Sequence, residues 1–175
     1  MLDAGCRADA ARPREGAAGF VAPTLSVVAL RAGTLADVGR LDALERRTFA
    51  YDRIARRSFV RFLNSPNASL IVADCDGTMS GYALVLFRAR SGGARLYSIA
   101  VDAAHAGRQL GSTLLKAAED AARRRGASAV RLEVCETNAV AKNLYRKFGY
   151  ALVDRLPAYY GDGRDALRLQ KSLAG

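Results

Sequence analysis

At 175 residues the chain is long enough for one ordinary domain and too short for two. Half of it is hydrophobic and a quarter charged, a soluble globular balance. Cys6, Cys75 and Cys135 show no CxxC spacing and read as free thiols of a reducing cytoplasm, which excludes a disulfide scaffold. No run of about 18 apolar residues is present to span a membrane. Lys and Arg number 27 against 17 Asp and Glu, a formal charge of +10. The excess is arginine scattered among alanines, with no block longer than Arg123-Arg124-Arg125. It fits a compositional bias, or an acidic partner such as nucleic acid, a ribosomal surface or a polyphosphate cofactor; the scatter does not favour nucleic acid.

Residues 1–24 mix Gly, Ala, Pro and balanced charge without a period, and are expected to be a mobile arm. Asp3, Arg7, Asp9, Arg12, Arg14 and Glu15 interrupt any signal-peptide core. A single domain is expected over 25–175. Ser26–Arg31 reads as a strand. Thr34 caps a helix carrying Leu35, Val38, Leu41 and Leu44 on one stripe. Ser58–Leu63 suggests a second helix, stopped by Asn64-Ser65-Pro66. Strands follow over Ser69–Asp74, Gly81–Arg88 and Ala94–Val101, the first two joined by an Asp76-Gly77 hairpin. Leu110–Arg125 is the clearest helix, with Leu110, Leu114, Leu115, Ala118, Ala121 and Ala122 on one face and Gly126 as its stop. A strand (Ala129–Val134), a helix (Ala139–Phe148) and strands over Tyr150–Arg155 and Ala166–Lys171 complete the chain. The order β-α-α-β-β-β-α-β-α-β-β predicts a mixed, partly antiparallel sheet.

Three segments carry chemistry. The loop after Val101-Asp102 holds Gly107, Arg108 and Gly111 and opens into the strong helix. Backbone N–H groups and a helix N-terminus there suit an anion, although a strand-to-helix turn needs glycine for geometry alone. The spacing is not that of the common nucleotide loops. In Val130-Arg-Leu-Glu-Val134, Leu132 and Val134 share one face while Arg131, Glu133 and Cys135 share the other. Glu133 is either a surface residue paired with arginine or, partly buried, a general base for an amine. Tyr145, on the helix with Leu144 and Phe148, is either core packing or a proton donor to a leaving thiolate.

Together, Val101-Asp102 … Arg108-Gln-Leu-Gly111-Ser-Thr113, Leu132-Glu-Val134 … Asn138 and Leu144-Tyr145 … Phe148-Gly149-Tyr150 resemble the GNAT (GCN5-related) N-acetyltransferases. The resemblance runs over about residues 27–173. Ile99-Ala-Val-Asp102, Leu132-Glu-Val134 and Tyr159-Tyr160-Gly-Asp-Gly-Arg-Asp-Ala166 bring it nearest to the ribosomal-protein-alanine N-acetyltransferases.

The resemblance implies an α/β (α+β) fold of six or seven strands with about four helices, and acetyl-CoA as donor with CoA as product. It places Arg108, Gln109, Leu110, Gly111, Ser112 and Thr113 on the CoA pyrophosphate, Asn138 on the pantetheine arm or as the residue that orders the neighbouring loop, and the backbone of Ile99, Ala100 and Val101 at the thioester. Gln109 stands where glycine is frequent, and Thr113 departs from the small residue of the family pattern. Glu133 maps onto the proposed base, Tyr145 onto the acid, and Tyr159 and Tyr160 onto the acceptor groove.

Direct transfer in a ternary complex follows from the resemblance, to a protein N-terminal α-amine or lysine. A small amine (polyamine, amino sugar or amino acid) is the alternative acceptor, and a non-enzymatic CoA-sensing or nucleic-acid-binding module is a third reading. The lone histidine, His105, lies in the loop and argues against both a Cys135-based covalent route and a histidine metal site. No metal and no membrane partner are expected. A cytoplasmic monomer or homodimer is expected.

Overall fold

The computed structural model describes residues 28–88, 92–105 and 109–173. The expected N-terminal arm lies outside them. β1 (Val28–Ala32) leads through a 3-10 turn (Leu35–Asp37) into α1 (Val38–Thr48) and α2 (Arg56–Leu63). The antiparallel run β2 (Ala68–Cys75), β3 (Thr78–Phe87), β4 (Gly93–Val101) follows, then α3 (Leu110–Arg124), β5 (Ala129–Cys135), α4 (Ala139–Lys147), β6 (Ala151–Leu156) and β7 (Ala166–Ser172). The expected elements are all present, most bounds moving by one or two residues. Asp76 (φ 51°) and Gly77 (φ 80°) make the hairpin turn in which both central residues are left-handed.

The seven strands form one sheet in the order β1-β2-β3-β4-β5-β7-β6, antiparallel except for β4 beside β5. Period-two alternation divides each strand between two cores. On one face α1 and α2 set Leu41, Leu44, Phe59 and Phe62 against Val72, Tyr82, Leu84 and Tyr97. On the other, Leu110, Leu114, Leu115 and Ala118 of α3 cover Ile71, Ala83, Val85 and Leu96, and Ala141 and Tyr145 of α4 join Leu132 and Val134.

The sheet is interrupted at one place that matters. β3 and β4 change register between Leu84 and Val85, which pair with Ser98 and Leu96 and leave Tyr97 as the extra residue of a bulge. β4 pairs with β5 only at Gly93↔Ala129, Ala94↔Val130 and Arg95↔Arg131. Beyond Arg95, up to Val101, β4 has no β5 partner. The two parallel strands therefore splay beyond Arg95 and Arg131, leaving a cleft between them in the sheet.

Candidate active site

Ile99, Ala100 and Val101 lie on the stretch of β4 that pairs with β3 but not with β5. A strand in this state offers a row of backbone donors and acceptors to an extended ligand. On the α3–α4 face the helix α3 begins at Leu110, and the start of a helix presents N–H groups that its own turns do not satisfy. Gln109 precedes it with φ 57° and gives no side-chain cap, and no acidic residue occupies the first turn.

The left-handed backbone explains why glycine is frequent at 109. Thr113 donates its hydroxyl to the Gln109 carbonyl at 3.1 Å, so its departure from the family pattern is absorbed within the first helical turn. Gly111 has no positive φ, and among the described residues a Cβ there would meet only Leu144 Cδ2, at 3.4 Å. The start of α3, with the backbone of Leu110, Gly111 and Ser112, is where the resemblance expects the pyrophosphate. Arg108 lies outside the described residues.

Asn138 is the N-cap of α4, its side-chain oxygen accepting the Ala141 N–H at 3.0 Å. It thus orders the loop after β5. Tyr145, fully buried on α4, stacks edge-on with Tyr150 at 5.7 Å between ring centres. Burial first, and then the charge of Glu119, push the Tyr150 phenol above its ordinary range. A phenol raised in this way is a poor proton donor.

On the opposite face Glu133 is 1% exposed. It is neither a surface residue nor a lone carboxylate. Arg95 of β4 donates to its Oε2 from Nε at 2.8 Å, and lies within 2.7 Å of it through Nη2. Arg168, its cross-strand neighbour on β7, donates to Oε1 at 3.0 Å, while Arg131 stays 3.9 Å away. Arg95 also donates to the Tyr159 hydroxyl at 3.1 Å. Tyr160 stacks edge-on against Tyr159 at 5.3 Å but is buried with Cys135 and Ala166, so Tyr159 is the more accessible of the two.

Cys135 is buried, its Sγ 3.3 Å from the Thr137 hydroxyl. Among the described residues no group of three His, Cys, Asp or Glu is placed to hold a metal. No helix among them is long and apolar enough to cross a membrane.

Two features were not foreseen. Arg95 and Arg168 flank Glu133 only because β4, β5 and β7 are neighbours, which no local pattern reveals. Glu45 of α1, fully buried, accepts the Ile54 N–H at 2.5 Å and the Tyr82 hydroxyl, which in turn lies 2.8 Å from Ser98 Oγ on β4. This chain ties the α1–α2 loop to the strand that borders the cleft. A Glu in an otherwise apolar helical stripe beside Leu44 was the available signal.

The acetyltransferase (GNAT) family profile matches residues 39–150. The chain belongs to this family. It is an N-acetyltransferase. N-alpha-acetyltransferase RimI of Mycobacterium tuberculosis is 34% identical over 148 residues, covering 82% of this chain and 92% of that protein. The ribosomal-protein-S18-alanine N-acetyltransferase of Escherichia coli shares the fold with a TM-score of 0.77 at 24% identity, over 85% of this chain and 96% of its own. The yncA protein of Salmonella typhimurium, solved with its cofactor acetyl-CoA, matches with a TM-score of 0.73 at 22% identity, over 86% of this chain and 96% of its own.

Proposed function

We propose that this N-acetyltransferase moves the acetyl group of acetyl-CoA to the N-terminal α-amine of a protein in the cytoplasm, by direct transfer in a ternary complex. The observation that carries the reading is the β4–β5 splay, with Tyr145 and the open start of α3 on one face and Glu133 on the other. Donor and acceptor can enter such a cleft from opposite faces and meet beside the free edge of β4. Similarity over 82% of the chain to a relative named for N-alpha-acetylation supports the α-amine as acceptor.

Bound acetyl-CoA supplies a thioester whose carbonyl carbon is open to attack. The start of α3 holds its pyrophosphate through backbone N–H groups and the positive end of the helix. A backbone N–H at Ile99–Val101 donates to the thioester carbonyl oxygen. Glu133 takes the proton that leaves the attacking amine, directly or through water, sharing its oxygens with Arg95 and Arg168. Tyr145 gives its phenolic proton to the departing thiolate, so acetylated amine and CoA thiol leave with the proton count balanced.

The test is CoA release and acetyl-peptide mass with the full chain, using peptides with free and blocked N-termini alongside polyamines, amino sugars and amino acids. Transfer to the free α-amine alone supports the reading. Transfer only to a small amine overturns the protein acceptor.

A further inference from the structure

We infer that the arginine face of the α1–α2 hairpin recognises acidic residues that follow the N-terminal amine of the acceptor; this rests on the reading of a protein N-terminus as acceptor. Between residues 40 and 61 the chain carries seven arginines against Asp42, Glu45 and Asp52. Glu45 is spent inside on Ile54 and Tyr82. Asp42 holds Arg46, Asp102 holds Arg47, and Arg61 lies over the Phe62 ring. Arg40, Arg53, Arg56 and Arg57 are left, all exposed and without an ion pair among the described residues. Arg56 reaches back over α1, its Nη1 3.8 Å from where a Cβ on Gly39 would sit, which sets this α2 cation against the first turn of α1.

The fold gains nothing from this placement. Arg56 and Arg57 occupy the first turn of α2, the positive end of a helix, where cations cost rather than contribute, and no acidic residue offsets them there. A compositional bias toward arginine does not explain why the other side of the recess is neutralised. Around the β6–β7 loop Arg155 pairs with Glu136 and Asp165, and Arg164 with Asp162.

A recess of about 630 Å3 lies between the two sides, lined by Tyr51, Asp52 and Arg53 from the α1–α2 loop and by Gly161 and Asp162. Gly161 follows Tyr159 and Tyr160, and Tyr159 is tied through Arg95 to Glu133, so the proposed acceptor path runs from Glu133 past this recess and Arg53 toward Arg56 and Arg57. Guanidinium groups there present forked donors that match carboxylates.

The experiment compares three peptides that share their first two residues and then carry Asp/Glu, Ser/Gly or Lys/Arg at the next five positions. KM is measured with the full chain at low and high salt. The acidic peptide is expected to show a KM about tenfold below the neutral one, the size of two or three exposed ion pairs, and high salt should erase most of the gap. In the Arg56→Glu/Arg57→Glu variant the order should reverse toward the Lys/Arg peptide. That variant places acids where the helix favours them, so it is expected to fold. Equal KM across the three peptides, or preference for the basic one, overturns the inference while leaving the acceptor reading intact. Failure of every peptide beside a small amine that is acetylated overturns the acceptor reading itself. Salt-sensitive binding of single-stranded RNA that Arg56→Glu/Arg57→Glu abolishes, with no peptide preference, assigns the face to nucleic acid and overturns the inference.

Discussion

Arg95, the last β4 residue paired with β5, holds Glu133, two residues past its partner Arg131, with Nη2 2.7 Å from Oε2 at the mouth of the splayed strands. Arg168 closes the carboxylate from the other side at 3.0 Å. The base proposed for transfer is thus fixed in place by two neighbouring strands, and its burial is compensated by guanidinium groups. Glu133→Gln keeps the shape but removes the proton acceptor. The expected result is a fall in kcat of about 10²-fold. Acetyl-CoA affinity, read separately, should change little. An unchanged kcat would assign the proton to another group.

The two stacked phenols can be separated by substitution. Tyr145→Phe should lower kcat by about 10²-fold while acetyl-CoA binding holds. Tyr150→Phe should leave kcat within a few-fold, because burial and Glu119 keep that phenol protonated. Steady-state kinetics beside direct acetyl-CoA titration checks both. Equal turnover in wild type and Tyr145→Phe removes the acid role.

The start of α3 yields opposite expectations at adjacent positions. Gln109→Gly relieves a left-handed residue at φ 57° and should raise stability by about 0.5–1 kcal/mol. Gly111→Ala meets only Leu144 at 3.4 Å and should fold normally, whereas Gly111→Val should fold yet lose acetyl-CoA binding. Thermal unfolding with and without acetyl-CoA reads all three. Retained binding in Gly111→Val would move the pyrophosphate elsewhere.

Asp37 supports the entry to α1. Its carboxylate takes Nη1 and Nη2 of Arg31 at 2.7 and 2.8 Å and the Thr34 N–H at 2.9 Å. The Arg31 hydrogen bonds, outweighing burial, hold the carboxyl well below the ordinary 3.8. A depressed folded-state value contributes stability that is full above the unfolded value and is lost as pH falls through the folded one. Asp37→Asn should therefore cost about 1–2 kcal/mol at pH 7, and the gap to wild type should narrow below about pH 4. Urea unfolding across pH 2.5–7 checks it; a gap that widens in acid would contradict the assignment.

Periodicity and turn chemistry made the fold legible. The stripe from Leu110 to Ala122, the left-handed Asp76-Gly77 pair and the Gly126 and Gly149 stops each act locally, and local signals are what a sequence displays. Gln109 was visible as an unusual residue, but its left-handed backbone was not. Glu133 was noticed for its alternation with Leu132 and Val134, yet its partners come from positions 95 and 168, joined only by sheet order. The splay itself depends on a bulge at Tyr97, where alternation breaks between Leu96 and Ile99 on one face. Within a run of nine residues that shift passes for an ordinary apolar strand. Tyr160 carried the same family signal as Tyr159, and only packing against Cys135 and Ala166 separates them.

The most direct measurement is thermal unfolding of the full chain with and without saturating acetyl-CoA. At about 100 times its Kd the ligand should add about 2.7 kcal/mol of stability, a clear rise in Tm. The account predicts that rise in wild type and Gly111→Ala and its absence in Gly111→Val. A well-folded wild-type protein whose Tm does not move with acetyl-CoA would contradict it.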